Sequence, residues 1–511
     1  MSPKTMKLLA SISSLKSILG FLIVLAVSST ARAAEAKPNI IFILADDLGW
    51  TDTTPYGTEF YETPNLEKLA TQGMKFTQYH NCQNCQPTRA ALMSGQYAPR
   101  TGVYTVGGID RFDWRSRPLR PVDNVVALPL DRITIAQSLK KAGYSTAMFG
   151  KWHLGGDANH HPSARGFDEA VVSEGRHFNF QTNPKTEHPK DQYLADFLTD
   201  KAEDFIRRHK DGPFFLYLTH FAVHVPLQAR ADDKQHFVGK RPAGGHHDPT
   251  YAGMIYALDR SVGRITALLD ELKLADNTVV IFSSDNGGVG GYSRRDGLIR
   301  DPGHENDTRK RGQKVAGIGD GENIGQCDDV TDNSPLRSGK GSLYEGGTRV
   351  PFIVRWPGKV KPGANCDVPS IHVDLYPTLL EIAGAATPEN YALDGESLVP
   401  LLRDGGAKLK RDAIFQHFPG YLGSGPGLWR TTPVTTMQNG DWKLMEYLED
   451  GRLELYNLKD DIGEKNNLVT QMPDKARELH ARMRAWRTEL KAPMPTKNLR
   501  ASDPPQKRKG Q

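Results

Sequence analysis

Five short apolar runs constrain this chain most, at 39–45, 145–149, 213–218, 278–282 and 352–356. Each is bounded by Gly, Pro or Asp. Runs of that length and uniformity suit strands of a sheet covered on both faces. Helical patterns lie between them. One begins at Thr134, a good N-cap, carries Ile135 and Leu139 four apart, and stops at Gly143. Another covers 251–272, with Ile255, Leu258, Val262 and Ile265 on one face. Strands alternating with helices predict an α/β fold, a large central sheet sandwiched by helices.

The pattern changes after Leu402. Two period-two segments, 441–445 and 453–456, flank the turn signal Glu449-Asp450-Gly451 and predict a hairpin. A closing helix with Leu479, Met483, Trp486 and Leu490 on one face follows. The expected organisation is a signal peptide over 1–33, a catalytic domain over 34–405, a smaller C-terminal α+β subdomain over 406–492, and a disordered basic tail over 493–511. The stretch 287–335 is long, polar, Gly-rich and without periodicity, which marks a functional loop or disorder.

The first segment reads as an export signal. Lys4, Lys7 and Lys16 precede the apolar run 18–27, and Ala31-Arg32-Ala33 presents small residues where a signal peptidase cuts. The run is too short for a stable membrane anchor, so a periplasmic or extracellular protein is expected. The formal charge of +5 comes from the ends. Four basic residues and no acidic one fall in 1–33, and six basic against one acidic fall in 491–511. The body between is net acidic, which removes the case for a nucleic-acid partner.

Chemistry concentrates at the ends of the strand-like runs. Asp46-Asp47 follows the first, and Asp285-Asn286-Gly287-Gly288 follows the fourth. Adjacent carboxylates repel unless a cation lies between them. Three carboxylates and an amide oxygen make a hard, all-oxygen donor set that suits Ca²⁺ better than Zn²⁺. Lys151 and His153 stand two apart in Gly150-Lys151-Trp152-His153, so both can face one pocket. Cys85-Gln86-Pro87-Thr88-Arg89 opens a helix, with Pro87 in its first turn and Cys85 at the positive end.

Cys85-x-Pro87-x-Arg89, with Leu92-Met93-Ser94-Gly95 downstream, resembles the signature of the type I sulfatases of the alkaline phosphatase superfamily. The resemblance runs in family order over about 38–468. It implies an alkaline-phosphatase-like fold with a mixed sheet. It also implies a sulfuric ester hydrolase in which a maturation enzyme oxidises Cys85 to formylglycine. Cys82 is followed by Gln83-Asn84 and falls out of register. The family's metal ligands map onto Asp46, Asp47, Cys85, Asp285 and Asn286. Its other catalytic and sulfate-binding positions map onto Arg89, Lys151, His153, His224 of His224-Val225-Pro226, and Lys340. His220 is the nearby competitor for the His224 role. In the implied mechanism Asp285 assists deprotonation of the formylglycine hydrate, His224 or Lys340 protonates the leaving oxygen, and His153 acts as base when sulfate is expelled.

Two other readings stay open on the sequence: a phosphoesterase or phosphonate monoester hydrolase of the same superfamily, and a sulfated-glycan-binding protein with unmodified Cys85. Export and the long loop favour a sulfated carbohydrate or polysaccharide as substrate. Arg111, Trp114, Arg115, Arg176, His177 and His417 are candidate sugar contacts, each of a type that more often serves as an ordinary loop or packing residue. Disulfide pairing among Cys82, Cys327 and Cys366 is left open by spacing.

Overall fold

The computed structural model describes residues 37–290, 299–300, 330–425 and 428–499. The expected signal segment 1–33, Cys327, most of the loop 287–335 and the end 500–511 lie outside the described residues.

Eight strands form the central sheet: β1 (Asn39–Ala45), β2 (Met74–Phe76), β3 (Ser145–Gly150), β4 (Glu169–Val172), β5 (Phe214–Thr219), β6 (Thr278–Ser284), β7 (Phe352–Arg355) and β8 (Ala364–Cys366). Their order is β8-β2-β7-β6-β1-β5-β3-β4. All neighbours pair parallel except at β7, which is antiparallel to both β2 and β6. The central strand β1 shows why the apolar runs are continuous. Ile40, Phe42 and Leu44 point into one core and Ile41, Ile43 and Ala45 into the other, all essentially inaccessible.

Seven helices are used below: α1 (Pro64–Thr71), α2 (Cys85–Ser94), α3 (Ile135–Lys141), α4 (Leu194–Arg208), α5 (Pro249–Glu271), α6 (Leu375–Ala383) and α7 (Pro473–Glu489). The first core takes residues of α2, α3 and α6, and the second those of α1, α4 and α5. Thr134 caps α3 as its sequence predicts. Its hydroxyl accepts from Gln137 N at 3.1 Å, and Gln137 Oε1 accepts from Thr134 N at 2.8 Å. No helix among the described residues is long and apolar enough to cross a membrane.

The C-terminal part is a four-stranded antiparallel sheet, β9 (Ala413–Phe418), β10 (Val434–Asn439), β11 (Trp442–Tyr447) and β12 (Leu453–Asn457), in chain order. The β11–β12 hairpin is the expected one. Helix α7 buries Leu479 and Met483 against Met437, Leu444 and Leu455, and Trp486 stacks on Phe415 at 4.7 Å between ring centroids.

One expectation needs correction. The tail does not become disordered at 493. Thr496–Lys497 pairs with Leu119–Arg120, and Asn498 donates to the carbonyls of Arg115 and Arg117 at 3.0 and 2.9 Å. Two ladder pairs and two side-chain hydrogen bonds hold it despite its polar composition. The disulfide pairing that spacing leaves open is answered for the described cysteines: Cys82 and Cys366 are buried free thiols, and Cys82 Sγ lies 3.6 Å from His372 Nε2.

A buried ionic cluster ties the small sheet to the segment 343–349 that follows the Lys340 loop. Lys443 Nζ on β11 bonds Leu343 O, Glu345 Oε1 and Glu464 Oε1, each at 2.8 Å. Glu345 Oε2 in turn bonds His80 Nε2 at 3.0 Å and Arg349 Nε at 2.7 Å. Removing the one lysine leaves two buried carboxylates short of their partner. Lys443→Met is therefore expected to lower the unfolding free energy by about 3–5 kcal/mol. A denaturant titration checks this, and a loss below about 1 kcal/mol would mean the cluster contributes no more than an exposed pair.

Candidate active site

The chemistry-bearing residues sit where the parallel strands end, in the crevice at their carboxyl edge. Asp46 and Asp47 follow β1, Asp285 and Asn286 follow β6, Lys151 and His153 follow β3, and the segment to His224 follows β5. Backbone bonds lock these ends together. Asp285 N donates to Ala45 O at 3.0 Å, Asp46 N to Ala222 O at 2.9 Å, Val223 N to Asp46 O at 2.7 Å, and Lys151 N to Thr219 O at 2.9 Å. The turn after β3 needs glycine. At Gly150 φ is +117°, and a Cβ would lie 1.8 Å from Thr219 O.

Cys85 begins α2, whose residues are all buried. Its Sγ stands 3.5 Å from Asp46 Oδ1 and 3.9 Å from Asp47 Oδ1. One turn on, Arg89 donates through Nε and Nη2 to Asp285 Oδ2 at 3.0 and 2.8 Å, and through Nη1 to Lys151 O at 2.6 Å. Two further cations complete the ring. Lys151 Nζ is 2.6 Å from Asp46 Oδ2, and Lys340 Nζ is 2.8 Å from Asp47 Oδ2. Asp46, Asp47, Asp285 and Asn286 are wholly inaccessible. Three buried carboxylates thus face three buried cations.

The histidines are placed by their other ring nitrogen. His224 Nδ1 bonds Val225 O at 2.7 Å, which turns Nε2 to Lys340 Nζ at 3.2 Å. His153 adopts a left-handed backbone, φ +61°, and its buried Nδ1 has no hydrogen-bond partner. Burial, with Lys151 and Arg89 nearby, holds His153 well below the usual imidazole range, so it is neutral. Burial raises the Asp46 carboxyl, but Lys151, His224 and Arg89 outweigh it and hold it below its usual range. Burial and the neighbouring Asp46 instead push Asp285 up to about 6. Burial and Asp285 push the Cys85 thiol up, so an unmodified Cys85 stays protonated and weakly nucleophilic.

The residues expected from the sequence are therefore brought together in one buried cluster. His220 is not in it: its Nε2 bonds Ser261 Oγ at 3.0 Å behind the sheet edge. The candidate sugar contacts divide. His177 is inaccessible and bonds His224 O through Nε2 at 2.8 Å, so it supports a site residue rather than a ligand. His417 is buried between Thr435 Oγ1 and Pro493 O. Trp114 packs with Tyr421 and Trp429, and the exposed Arg115 pairs with Asp110. Arg176 is exposed. Arg111 lines a recess that Lys340 also lines. Sequence reasoning missed Phe221, whose ring lies 5.5 Å from Lys151 Nζ and 5.0 Å from the His224 ring. It also missed Asn333, whose Nδ2 bonds Gly288 O, Gly290 O and Ser338 O at 2.9–3.1 Å and so fixes the Lys340 loop.

One ligand atom from each of Asp46, Asp47, Cys85 and His224 lies within 4.8 Å of every other, a grouping small enough to hold a metal ion. The sulfatase family model matches residues 38–385, and the C-terminal model of N-sulphoglucosamine sulphohydrolase matches residues 339–491. The chain belongs to the sulfatase family. A sulfatase of Formosa agariphila is 33% identical over 92% of both chains. An N-acetylgalactosamine-6-O-sulfatase of Bacteroides thetaiotaomicron is 30% identical over 88% of this chain and 93% of its own. The crystal structure of Ps i-CgsB in complex with k-i-k-neocarrahexaose matches with a TM-score of 0.70 and 29% identity, over 88% of this chain and 92% of that one. The protein is a sulfuric ester hydrolase.

In this sulfatase Arg89 joins three site elements through a planar fork that lysine cannot reproduce. Arg89→Lys keeps the charge but loses the paired bonds. It is expected to lower kcat on an aryl sulfate by about 100-fold. Steady-state hydrolysis measures this, and activity within about threefold of wild type would show that charge alone suffices.

Proposed function

We propose that this sulfatase removes sulfate from a sulfated carbohydrate, using formylglycine made from Cys85 and a calcium ion held by Asp46, Asp47, Asp285 and Asn286. The observation that carries the catalytic part is the three-against-three charge ring around Cys85. The carbohydrate part is supported by relatives named for N-acetylgalactosamine sulfate and by the neocarrahexaose complex.

The donor set fits the cation. It is all oxygen if Cys85 supplies an oxygen after oxidation, which suits Ca²⁺. Asn286 supplies a second sign. Its Oδ1 is buried without a partner, while its Nδ2 lies 2.8 Å from Asp47 Oδ1. Nδ2 also donates to Gly287 O at 2.9 Å, so Oδ1 is the amide atom left to meet a cation. Calcium would supply Lewis-acid stabilisation of charge, and formylglycine a hydrated aldehyde in place of the thiol.

The chain's own residues do the rest. Lys151 and Lys340 are positioned to leave Asp46 and Asp47 and take up sulfate oxygens, spreading charge as the ester bond breaks. His224 Nε2, beside Lys340 Nζ, lies on a route by which a proton reaches the departing alcohol oxygen. Neutral His153 can accept a proton from a hydroxyl at position 85. Arg89 holds Asp285 and the Lys151 backbone in register throughout.

Two measurements test this reading. The peptide containing residue 85, from protein made in its native host, is expected at the mass of an aldehyde in place of the thiol; an intact cysteine mass would remove the nucleophile. Incubation with sulfated saccharides is expected to release sulfate, to stop on chelation and to recover with Ca²⁺ but not Zn²⁺. Undiminished activity after exhaustive chelation would exclude the cation from the reaction.

A further inference from the structure

Four buried rings stand in a row from the start of α4 to the reaction centre. Tyr193, which precedes α4, stacks on His177 at 5.8 Å between ring centroids. His177 meets Phe221 at 4.9 Å with the planes 30° apart, and Phe221 meets His224 at 5.0 Å with the planes 31° apart. None of the four is more than 8% exposed. Hydrogen bonds close the same group. His177 Nε2 donates to His224 O at 2.8 Å, His177 N to Gln228 Oε1 at 3.2 Å, and the Tyr193 hydroxyl to Gln228 O at 2.9 Å. The outer rings thus grip the backbone of His224 and of the segment after it, while Phe221 lies against the imidazole itself.

Packing explains only part of this. Phe221 belongs to the second core, where another apolar side chain of similar bulk would serve. Its ring also faces polar groups: Lys151 Nζ lies 5.5 Å from the centroid, and the His224 ring is in contact. One ring is therefore shared by a lysine positioned to take sulfate and a histidine on the route to the departing oxygen. Hydrogen bonds at imidazole nitrogens run in the ring plane. Those of His224, to Val225 O and Lys340 Nζ, aim its nitrogens but resist tilting of the plane weakly. A flat neighbour opposes that tilt. An aromatic face also attracts an ammonium without claiming one of its N–H donors, so Lys151 can exchange Asp46 for a sulfate oxygen with the ring still beside it.

We propose that Phe221 is a positioning residue for ester cleavage. Its ring sets the plane of His224, so that Nε2 stays on the path of the proton to the leaving oxygen while the S–O bond breaks and its electron pair passes to that oxygen. This rests on the proton route proposed for His224 above. The consequence is selective. A leaving group that departs as a stable anion hardly needs the proton, and one that departs as a basic oxyanion needs it most. Loss of the ring therefore costs more rate the more basic the leaving oxygen is.

The test is kcat/KM of the full chain on 4-nitrophenyl sulfate and on phenyl sulfate, whose leaving oxygen is the more basic. The ratio of the two does not depend on how much of a variant is correctly folded. In Phe221→Leu the ratio is expected to rise about tenfold, from a loss of about threefold on 4-nitrophenyl sulfate and about 30-fold on phenyl sulfate. Phe221→Met makes the same comparison if the leucine variant yields no folded protein. Phe221→Tyr, which keeps the ring, is expected to hold the wild-type ratio within about twofold; a leucine-like ratio there overturns the proposal. His224→Ala is the reference, with a rise of about tenfold or more. Equal losses on both substrates in Phe221→Leu, beside a raised ratio in His224→Ala, overturn the role of Phe221 alone. Equal losses in His224→Ala overturn the proton route and this inference with it.

Discussion

The structure depends on a charge balance that water cannot help to maintain. Asp46, Asp47 and Asp285 are inaccessible, and Arg89, Lys151 and Lys340 meet them at 2.6–3.0 Å. A buried ion without its counter-ion costs several kcal/mol, and pairing compensates only where geometry is held. Hence Asp46, Asp285 and Lys151 are fixed by backbone bonds at strand ends, and Lys340 is fixed in its loop by the bond from its N to Gly288 O at 2.9 Å. The balance also has a functional side. A divalent cation added to the carboxylates would leave two lysines in excess, and a sulfate ester is the natural recipient of their charge. On the proposed reading, the bound sulfate monoester supplies one negative charge against the cation's two, and the remaining positive charge favours the negative charge that develops as the ester bond breaks.

That arrangement is held partly by strain. Asp47, His153 and Ser338 all have left-handed backbones, with φ of 63°, 61° and 66°. Each lies in a different loop of the site, at or beside a charged residue. Such conformations persist only where the surroundings over-determine them. Here the surroundings are visible. Asp47 N donates to Asp285 Oδ1 at 3.2 Å, and Ser338 O accepts from Asn333 Nδ2 at 3.0 Å. The sheet supplies rigid strand ends, and the loops spend that rigidity on aiming side chains.

The sequence was most legible where burial is two-sided. The runs at β1, β3, β5, β6 and β7 are largely apolar because both faces of the sheet are covered, and the observed strands match them to within two residues at each end. The strands β2, β4 and β8 have three or four residues each, too few to display a period. Site residues that belong to short motifs at strand ends were legible for the same reason, since a charge directly after a buried strand has few other uses. Phe221 and Asn333 were not, because a ring beneath a lysine and an amide stapling three carbonyls leave no local pattern. His177 and His417, candidates for sugar contacts, have the commoner packing role. Residue type marks a capacity to bond, and only the fold decides whether the partner is a ligand or a neighbouring carbonyl.

The C-terminal part is tied to the reaction centre as well as packed beside it. Lys443 on β11 binds the backbone of Leu343 and the carboxylate of Glu345, three and five residues beyond Lys340. Arg430 binds the carbonyl of Lys340 itself. Asn333 and Gly288 clasp the same segment from the other side, through Ser338 O and Lys340 N. The lysine that pairs with Asp47 is thus set between the two parts of the chain. Changes on the C-terminal strands can then reshape what lies next to Lys340 while Cys85, Arg89 and the carboxylates keep their places. On the proposed reading, that division separates the chemistry around Cys85 from the recognition of whatever carries the sulfate.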